Sequence, residues 1–145
     1  IIRKAQLEDK KIISDLYYQL YPHHKGPKRL ISIEKFQAKS LLFVAEKKIK
    51  VVGFIWGTFI NYGISRYGYI DEIFVKQKFR GKKIGTSLIK RILEEFKKLK
   101  VWSLFVSIEK RDKKALSFYQ KLGFKLSKGL WFYLELAHTP KELKS

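Results

Sequence analysis

The chain has 145 residues, 46% hydrophobic and 31% charged, which suits one domain with its own core and excludes a disordered chain. It carries 32 Lys and Arg against 13 Asp and Glu, a formal charge of +19, and so attracts anions: nucleic acid, an acidic protein or a polyphosphate. Cysteine is absent, which excludes disulfide scaffolds, thiol catalysis and cysteine-ligated zinc.

Residues 1–5 read as a short strand. Residues 6–20 carry Leu7, Ile12, Ile13, Leu16, Tyr17 and Leu20 at helical spacing. Pro22, Gly26 and Pro27 then mark a loop, and Ser32 before Ile33 and Glu34 reads as the start of a second short helix. Residues 41–46 and 50–60 are β-rich runs joined by a polar turn around Lys47 and Lys48, a hairpin. The second run holds the longest apolar stretch, broken by Gly53 and Gly57 and too short to span a bilayer. Residues 67–75 read as the fourth strand. Ile84, Leu88, Ile92, Phe96 and Leu99 then recur at three to four residues, the most strongly patterned helix of the chain. A strand over 102–108 follows, then a helix over 112–122 stopped by Gly123, then strands over 124–126 and 130–136. This order predicts a mixed α/β fold, with helices on both faces of one sheet, in a single domain spanning 1–145. The first residues hold no apolar signal core, so a cytoplasmic protein with no membrane partner is expected.

The basic residues are 26 Lys and only 6 Arg, a balance that favours a general positive field over base readout. Asn61 is the sole asparagine and Met is absent, as suits a heat-adapted source or a low-GC genome equally.

The turn Phe79-Arg80-Gly81-Lys82-Lys83-Ile84-Gly85-Thr86-Ser87 lies between a strand and the strongest helix. Glycines there expose backbone N–H groups, the helix dipole adds positive potential, and Lys76 and Lys78 crowd the same corner. Such a turn suits a pyrophosphate. It is neither a Walker A loop, since Thr86 rather than Lys follows Gly85, nor a dinucleotide fingerprint, since G-x-G-x-x-G is missing. About thirty residues on stands a helix containing Asp112, Ala115, Tyr119 and Lys121, closed by Gly123 and Phe124.

Together the two segments resemble the GNAT N-acetyltransferases. In that family an R-x-x-G-x-G/A turn holds the coenzyme A pyrophosphate, and a later N-x-x-A-x-x-x-Y-x-K-x-G-F helix supplies a tyrosine near the thioester sulfur. Arg80, Gly85 and neighbouring Gly81 match the first motif; Ala115, Tyr119, Lys121, Gly123 and Phe124 match the second. The resemblance implies a mostly antiparallel central sheet, acetyl-CoA as cofactor and acetyl transfer to a small-molecule or protein amine. It implies coenzyme contacts from Arg80, Gly81, Lys82, Lys83, Ile84, Gly85, Thr86 and Asp112, and from the exposed main chain of Ile73, Phe74 and Val75. A homodimer is possible by family analogy. Two positions depart from the pattern. Lys83 replaces a glycine; the backbone N–H survives, so cradling is expected provided the turn needs no positive φ there. Asp112 replaces an asparagine and cannot donate when ionised, though it suits a helix N-cap.

By the same resemblance Tyr119 is the acid that protonates the departing thiolate. Asp71 and Glu72 are the candidate bases. Adjacent strand residues point to opposite faces, so only one is expected to face the cleft. Residues 69–75, with Trp131 and Tyr133, are similar to the polyamine and thialysine acetyltransferase branch, which favours Asp71 over Glu72 and gives Trp131 an acceptor contact. Trp56 and Trp102 read as strand packing. His23, His24 and His138 read as surface residues, since two adjacent histidines are too few for a metal site. Two other readings stand beside the enzyme: a basic nucleic-acid-binding module, and a non-catalytic relative that binds acetyl-CoA.

Overall fold

In the computed structural model, which describes residues 1, 3–34, 37–134 and 136, the two β-rich runs fold back on each other as a hairpin. Its strands are β1, Gln37–Lys47, and β2, Lys50–Asn61. Lys48 and Ile49 form the turn with φ of 49° and 67°, the sign that a two-residue hairpin loop needs to match strand twist. β2 pairs antiparallel with β3, Arg66–Val75, and β3 pairs parallel with β4, Ser103–Val106. The sheet order is β1-β2-β3-β4. The sheet is mixed and mostly antiparallel, as expected.

The chain divides into two units, Ile1–Ser107 and Ile108–Ser145. The first holds the sheet with α1, Lys10–Gln19, and α2, Ile84–Lys98. α2 buries Ile84, Leu88, Ile89, Ile92 and Phe96, the residues its period singles out. They pack on the face that carries Ile55, Gly57, Phe59, Gly68 and Ile70. Two glycines make room for Phe96. A Cβ on Gly68 would run into the Phe96 ring, and one on Gly57 into the Tyr69 carbonyl. Two β-rich strands therefore carry glycine where the helix presses closest.

α1 borders the opposite face. Ser14 and Tyr18, one turn apart, are its buried residues. The Ser14 hydroxyl donates to the Lys10 carbonyl (2.7 Å) and accepts from the Ile31 N–H (2.9 Å), while the Tyr18 hydroxyl accepts from the Arg29 N–H (2.7 Å). The loop after α1 is thus tied back onto the helix by buried hydroxyls. Leu7, Ile12, Leu16 and Leu20, which carry the helical spacing in the sequence, are exposed.

In the second unit α3, Lys113–Lys121, begins at Asp112, whose Oδ1 accepts the Ala115 N–H (2.9 Å), and ends at Gly123 with φ 99°. Both signals act as the sequence implies.

Four expected elements are missing among the described residues. The described residues of 1–5 form no strand, Ser32 opens no helix through Glu34, and 124–134 and 136 form no strand. β-propensity describes how a side chain fits a paired, half-buried surface; no ladder reaches these segments, and residues 130–134 are exposed. Ile2, Lys35, Phe36 and Glu135 lie outside the described residues, as does His138. No helix among the described residues is long and apolar enough to cross a membrane.

Candidate active site

The turn before α2 is shaped by two left-handed residues, Gly81 (φ 77°) and Lys83 (φ 63°). Lys83 takes the positive φ that the sequence reading set as a condition against cradling, and its N–H stays free all the same. Lys83 is the N-cap of α2 and gives it no side-chain cap. Among the described residues, the N–H groups of 81–86 donate to no protein acceptor. A row of free donors at a helix N-terminus is a cradle for an anion. Lys76, Lys78, Arg80, Lys82 and Lys83 are exposed around it, and among the described residues none is ion-paired. A Cβ at Gly81 or at Gly85 would meet nothing within 4 Å, so the protein leaves the space over both open. These residues fit a pyrophosphate.

Arg80 is anchored: its Nε donates to the Val75 carbonyl (2.9 Å) and its guanidinium lies 5.5 Å from the Phe74 ring centre. This ties the turn to the end of β3. Ile73, Phe74 and Val75 pair with β2 on one side. β4 pairs with β3 only from Tyr67 to Ile70, so the other edge of 73–75 has no strand partner among the described residues. An open edge beside an anion cradle suits an extended ligand arm.

The register shifts between Trp56 and Gly57: Gly57 pairs with Ile70, Trp56 with Glu72, and Asp71 is the extra residue of a β-bulge. The bulge corrects the expectation that Asp71 and Glu72 face opposite ways. Glu72 sits opposite Trp56, on the face away from α2. Asp71 Oδ2 accepts from the Thr58 hydroxyl (2.7 Å), and Thr58 lies on that same face. Both acids are exposed there, side by side.

Two cavities open beside α1. One of about 520 Å³ is lined by Tyr17, Tyr18, Tyr21, His24, Arg29 and Trp102 among others. The second, about 410 Å³, shares Tyr17, Tyr21 and Trp102 with it and continues to Arg66, Tyr67 and Tyr69. Burial raises the Tyr17 and Tyr67 hydroxyls above the usual phenol range, so both stay neutral. Tyr69, in the lining of the second cavity, is the strand partner of Thr58, whose hydroxyl donates to Asp71. Sequence reasoning missed this lining. Tyr67 and Tyr69 at strand spacing and Tyr17 and Tyr21 at helix spacing are its signature, but that pattern equally describes a core. Trp102, read as strand packing, precedes β4 and is half exposed at the cavity wall. Trp131, given the acceptor contact, is exposed in the second unit.

Tyr119 lies on α3 and is buried, with the Phe118 and Phe124 rings at 5.3 and 5.4 Å. Burial raises its hydroxyl above the usual tyrosine value. Among the described residues it has no hydrogen-bond partner. Asp112, expected at the coenzyme, has Oδ1 engaged in capping α3.

A 97-residue stretch is 31% identical to N-alpha-acetyltransferase 30 of Dictyostelium discoideum, covering 67% of this chain and 52% of that one. An 89-residue stretch is 39% identical to an uncharacterized N-acetyltransferase of Methanocaldococcus jannaschii, covering 57% and 38%. The chain thus spans about half or less of the length of either relative. The aminoglycoside N-acetyltransferase AAC(6')-Iy in complex with CoA shares the fold, with a TM-score of 0.59 and 15% identity over 93% of this chain and 98% of that one. Residues 10–124 match the acetyltransferase (GNAT) family, and on that match, most of its length, this chain belongs to the GNAT family.

Proposed function

We propose that this chain moves the acetyl group of acetyl-CoA to a primary amine by direct attack in a ternary complex in the cytoplasm, both units serving one acetyltransferase domain. The observation that carries the reading is the left-handed turn into α2, with its free backbone donors and unpaired cations. Family membership and the CoA-bound neighbour favour the same coenzyme.

Acetyl-CoA supplies an activated acyl thioester and a pyrophosphate handle. The amides of 81–86 hold the pyrophosphate, with Arg80 and Lys82 adding charge. The open edge of 73–75 pairs with the pantetheine arm, and one of its N–H groups donates to the carbonyl oxygen that gains negative charge on attack. Asp71 and Glu72 draw the acceptor ammonium to the cleft and take its proton. Asp71 is fixed by Thr58 and orients the amine; Glu72, whose carboxylate has no hydrogen bond among the described residues, is the freer proton acceptor. Tyr119 keeps its proton until the thiolate needs one, because burial of the side chain raises the hydroxyl above the usual tyrosine value. The name of one relative, an N-alpha-acetyltransferase, favours a polypeptide α-amine as acceptor.

Thiol release from acetyl-CoA over a panel of amines tests the reading, and a cysteine-free protein adds no thiol background. Tyr119→Phe should lower turnover at least tenfold with acetyl-CoA affinity nearly unchanged; unchanged turnover would remove Tyr119 from the mechanism. Glu72→Gln should reduce kcat more than Asp71→Asn, which should act mainly on KM. Equal, small effects would assign the proton to a water chain or another group.

A further inference from the structure

The β1–β2 hairpin runs on past the end of β3. The ladder between β2 and β3 begins at Gly53 and Val75, and the Lys76 N–H donates to the Val52 carbonyl (2.8 Å). Beyond that point residues 46–51 pair only with each other, as a two-stranded arm, and all are exposed. The arm reaches roughly 10 Å past β3, at about 3.3 Å per residue. At its tip Ile49 is 92% exposed with φ 67°. A β-branched residue is a poor choice for a left-handed turn position, where Gly or Asn folds without strain. The side chain packs on almost nothing, so no core contact offsets that strain. Val51 and Val44, 51% and 55% exposed, continue an apolar strip down the hairpin on the face away from α2. Lys47, Lys48 and Lys50 surround the tip, and none is ion-paired among the described residues. Glu46 is the only acid between residues 42 and 54.

We propose that this arm docks on an anionic lipid surface, with Ile49 set among the acyl chains and Lys47, Lys48 and Lys50 on the charged headgroups. The proposal goes beyond acetyl transfer and uses no residue of the coenzyme site. Charge is the first reason. An anionic leaflet attracts lysines held close to it, whereas a second copy of a +19 chain is repelled. Apolar content is the second. Nucleic acid answers the lysines but seats an aliphatic side chain only by unstacking bases. The arm also holds no arginine to read a base edge and no aromatic ring to stack on one. A lipid surface takes both at once, because a lysine stem lies along apolar matter while its head stays among the headgroups. Geometry is the third. The tip stands at one end of β2, and Asn61 at the other end pairs with Arg66 in the wall of the smaller cavity. A docked arm therefore leaves that cavity facing water. An arm of this kind lies on a bilayer and needs no spanning segment, which departs from the expectation of no membrane partner.

The test is sedimentation of the chain with vesicles of phosphatidylcholine, with and without phosphatidylserine, at physiological salt. The anionic vesicles alone should bind it. A +19 chain meets any anionic surface to some degree, so the variants carry the test. Ile49→Gly should lower vesicle affinity at least fivefold. It should also raise the midpoint of thermal unfolding, because glycine relieves the turn. Ile49→Phe keeps an apolar tip and should bind at least as well as the parent. Lys48→Gln with Lys50→Gln should cost about tenfold or more, against less than threefold for Lys90→Gln with Lys97→Gln, exposed on α2. Saturating acetyl-CoA should leave vesicle binding within threefold. Anionic-vesicle binding indifferent to Ile49 would reveal a general field and overturn the proposal. Displacement by acetyl-CoA would place the headgroup at the turn before α2 and overturn it too. A lower unfolding midpoint in Ile49→Gly would give the isoleucine a folding role and remove the ground of the proposal. RNA, offered at equal phosphate, is the rival ligand. Binding to RNA that exceeds binding to vesicles and is lost in Ile49→Gly would make the arm a nucleic-acid ribbon instead.

Discussion

Lys83 holds a backbone conformation that costs an L-residue about 1–2 kcal/mol, and its side chain caps nothing in return. Glycine relieves the strain but loosens the unfolded chain. The net expectation for Lys83→Gly is a gain of about 0.5–1 kcal/mol, read from urea unfolding, with acetyl-CoA binding retained. A loss of stability would show that the lysine side chain holds the turn after all. Gly85 separates folding from binding more sharply. It stands in the first turn of α2 with open space over it. Gly85→Ala should therefore stabilise the helix by up to about 1 kcal/mol. It should also weaken acetyl-CoA at least tenfold, because the added methyl lies where the pyrophosphate must approach the backbone. Stability and affinity moving together would contradict the cradle. Tyr119 sets a pH limit. Burial disfavours the phenolate, so the hydroxyl titrates above its ordinary value of 10.0 and remains a donor below it. Any alkaline loss of kcat that Tyr119→Phe abolishes should then lie above pH 10. A Tyr119-dependent fall near pH 8 would contradict the burial.

At the scale of elements, the fit of α2 to the sheet depends on glycine. Gly68→Ala would force a methyl into the Phe96 ring, and overpacking of this kind costs about 1–3 kcal/mol. Thermal unfolding should show the loss, and Gly68→Ala with Phe96→Leu should recover part of it. No loss would mean that the helix is free to shift. These same elements show what the sequence made legible. The α2 period, the hairpin and the Asp112 and Gly123 signals of α3 each rest on local chemistry, which one stretch of chain states in full. The bulge at Asp71 does not, since it is a property of two paired strands, and strict alternation then misplaces one of the acids. The buried face of α1 is not legible in its spacing, because Ser14 and Tyr18 bury hydroxyls with partners in a later loop while Ile12 and Leu16 stay exposed. The cavity lining was hidden for a similar reason: Tyr17, Tyr67 and Trp102 come to one cavity from three separate parts of the chain. The phosphate turn was legible as a turn, but the strain at Lys83 was not.

At the scale of the whole molecule, a charge of +19 attracts every polyanion, and attraction alone identifies none. Such attraction is screened by salt, with a Debye length of about 10 Å at 0.1 M. Oriented backbone donors and an open strand edge are far less sensitive to salt, because they act at contact. Acetyl-CoA and ATP both carry phosphates, but only acetyl-CoA has an arm for the edge of Ile73, Phe74 and Val75. The most direct measurement is therefore calorimetric titration of the chain with acetyl-CoA, at physiological and at high salt, with ATP as the control. The expected result is one-to-one binding of acetyl-CoA that persists at high salt and clearly exceeds ATP. Acetyl-CoA binding no tighter than ATP, and lost in salt, would contradict the coenzyme site and leave a basic surface in its place.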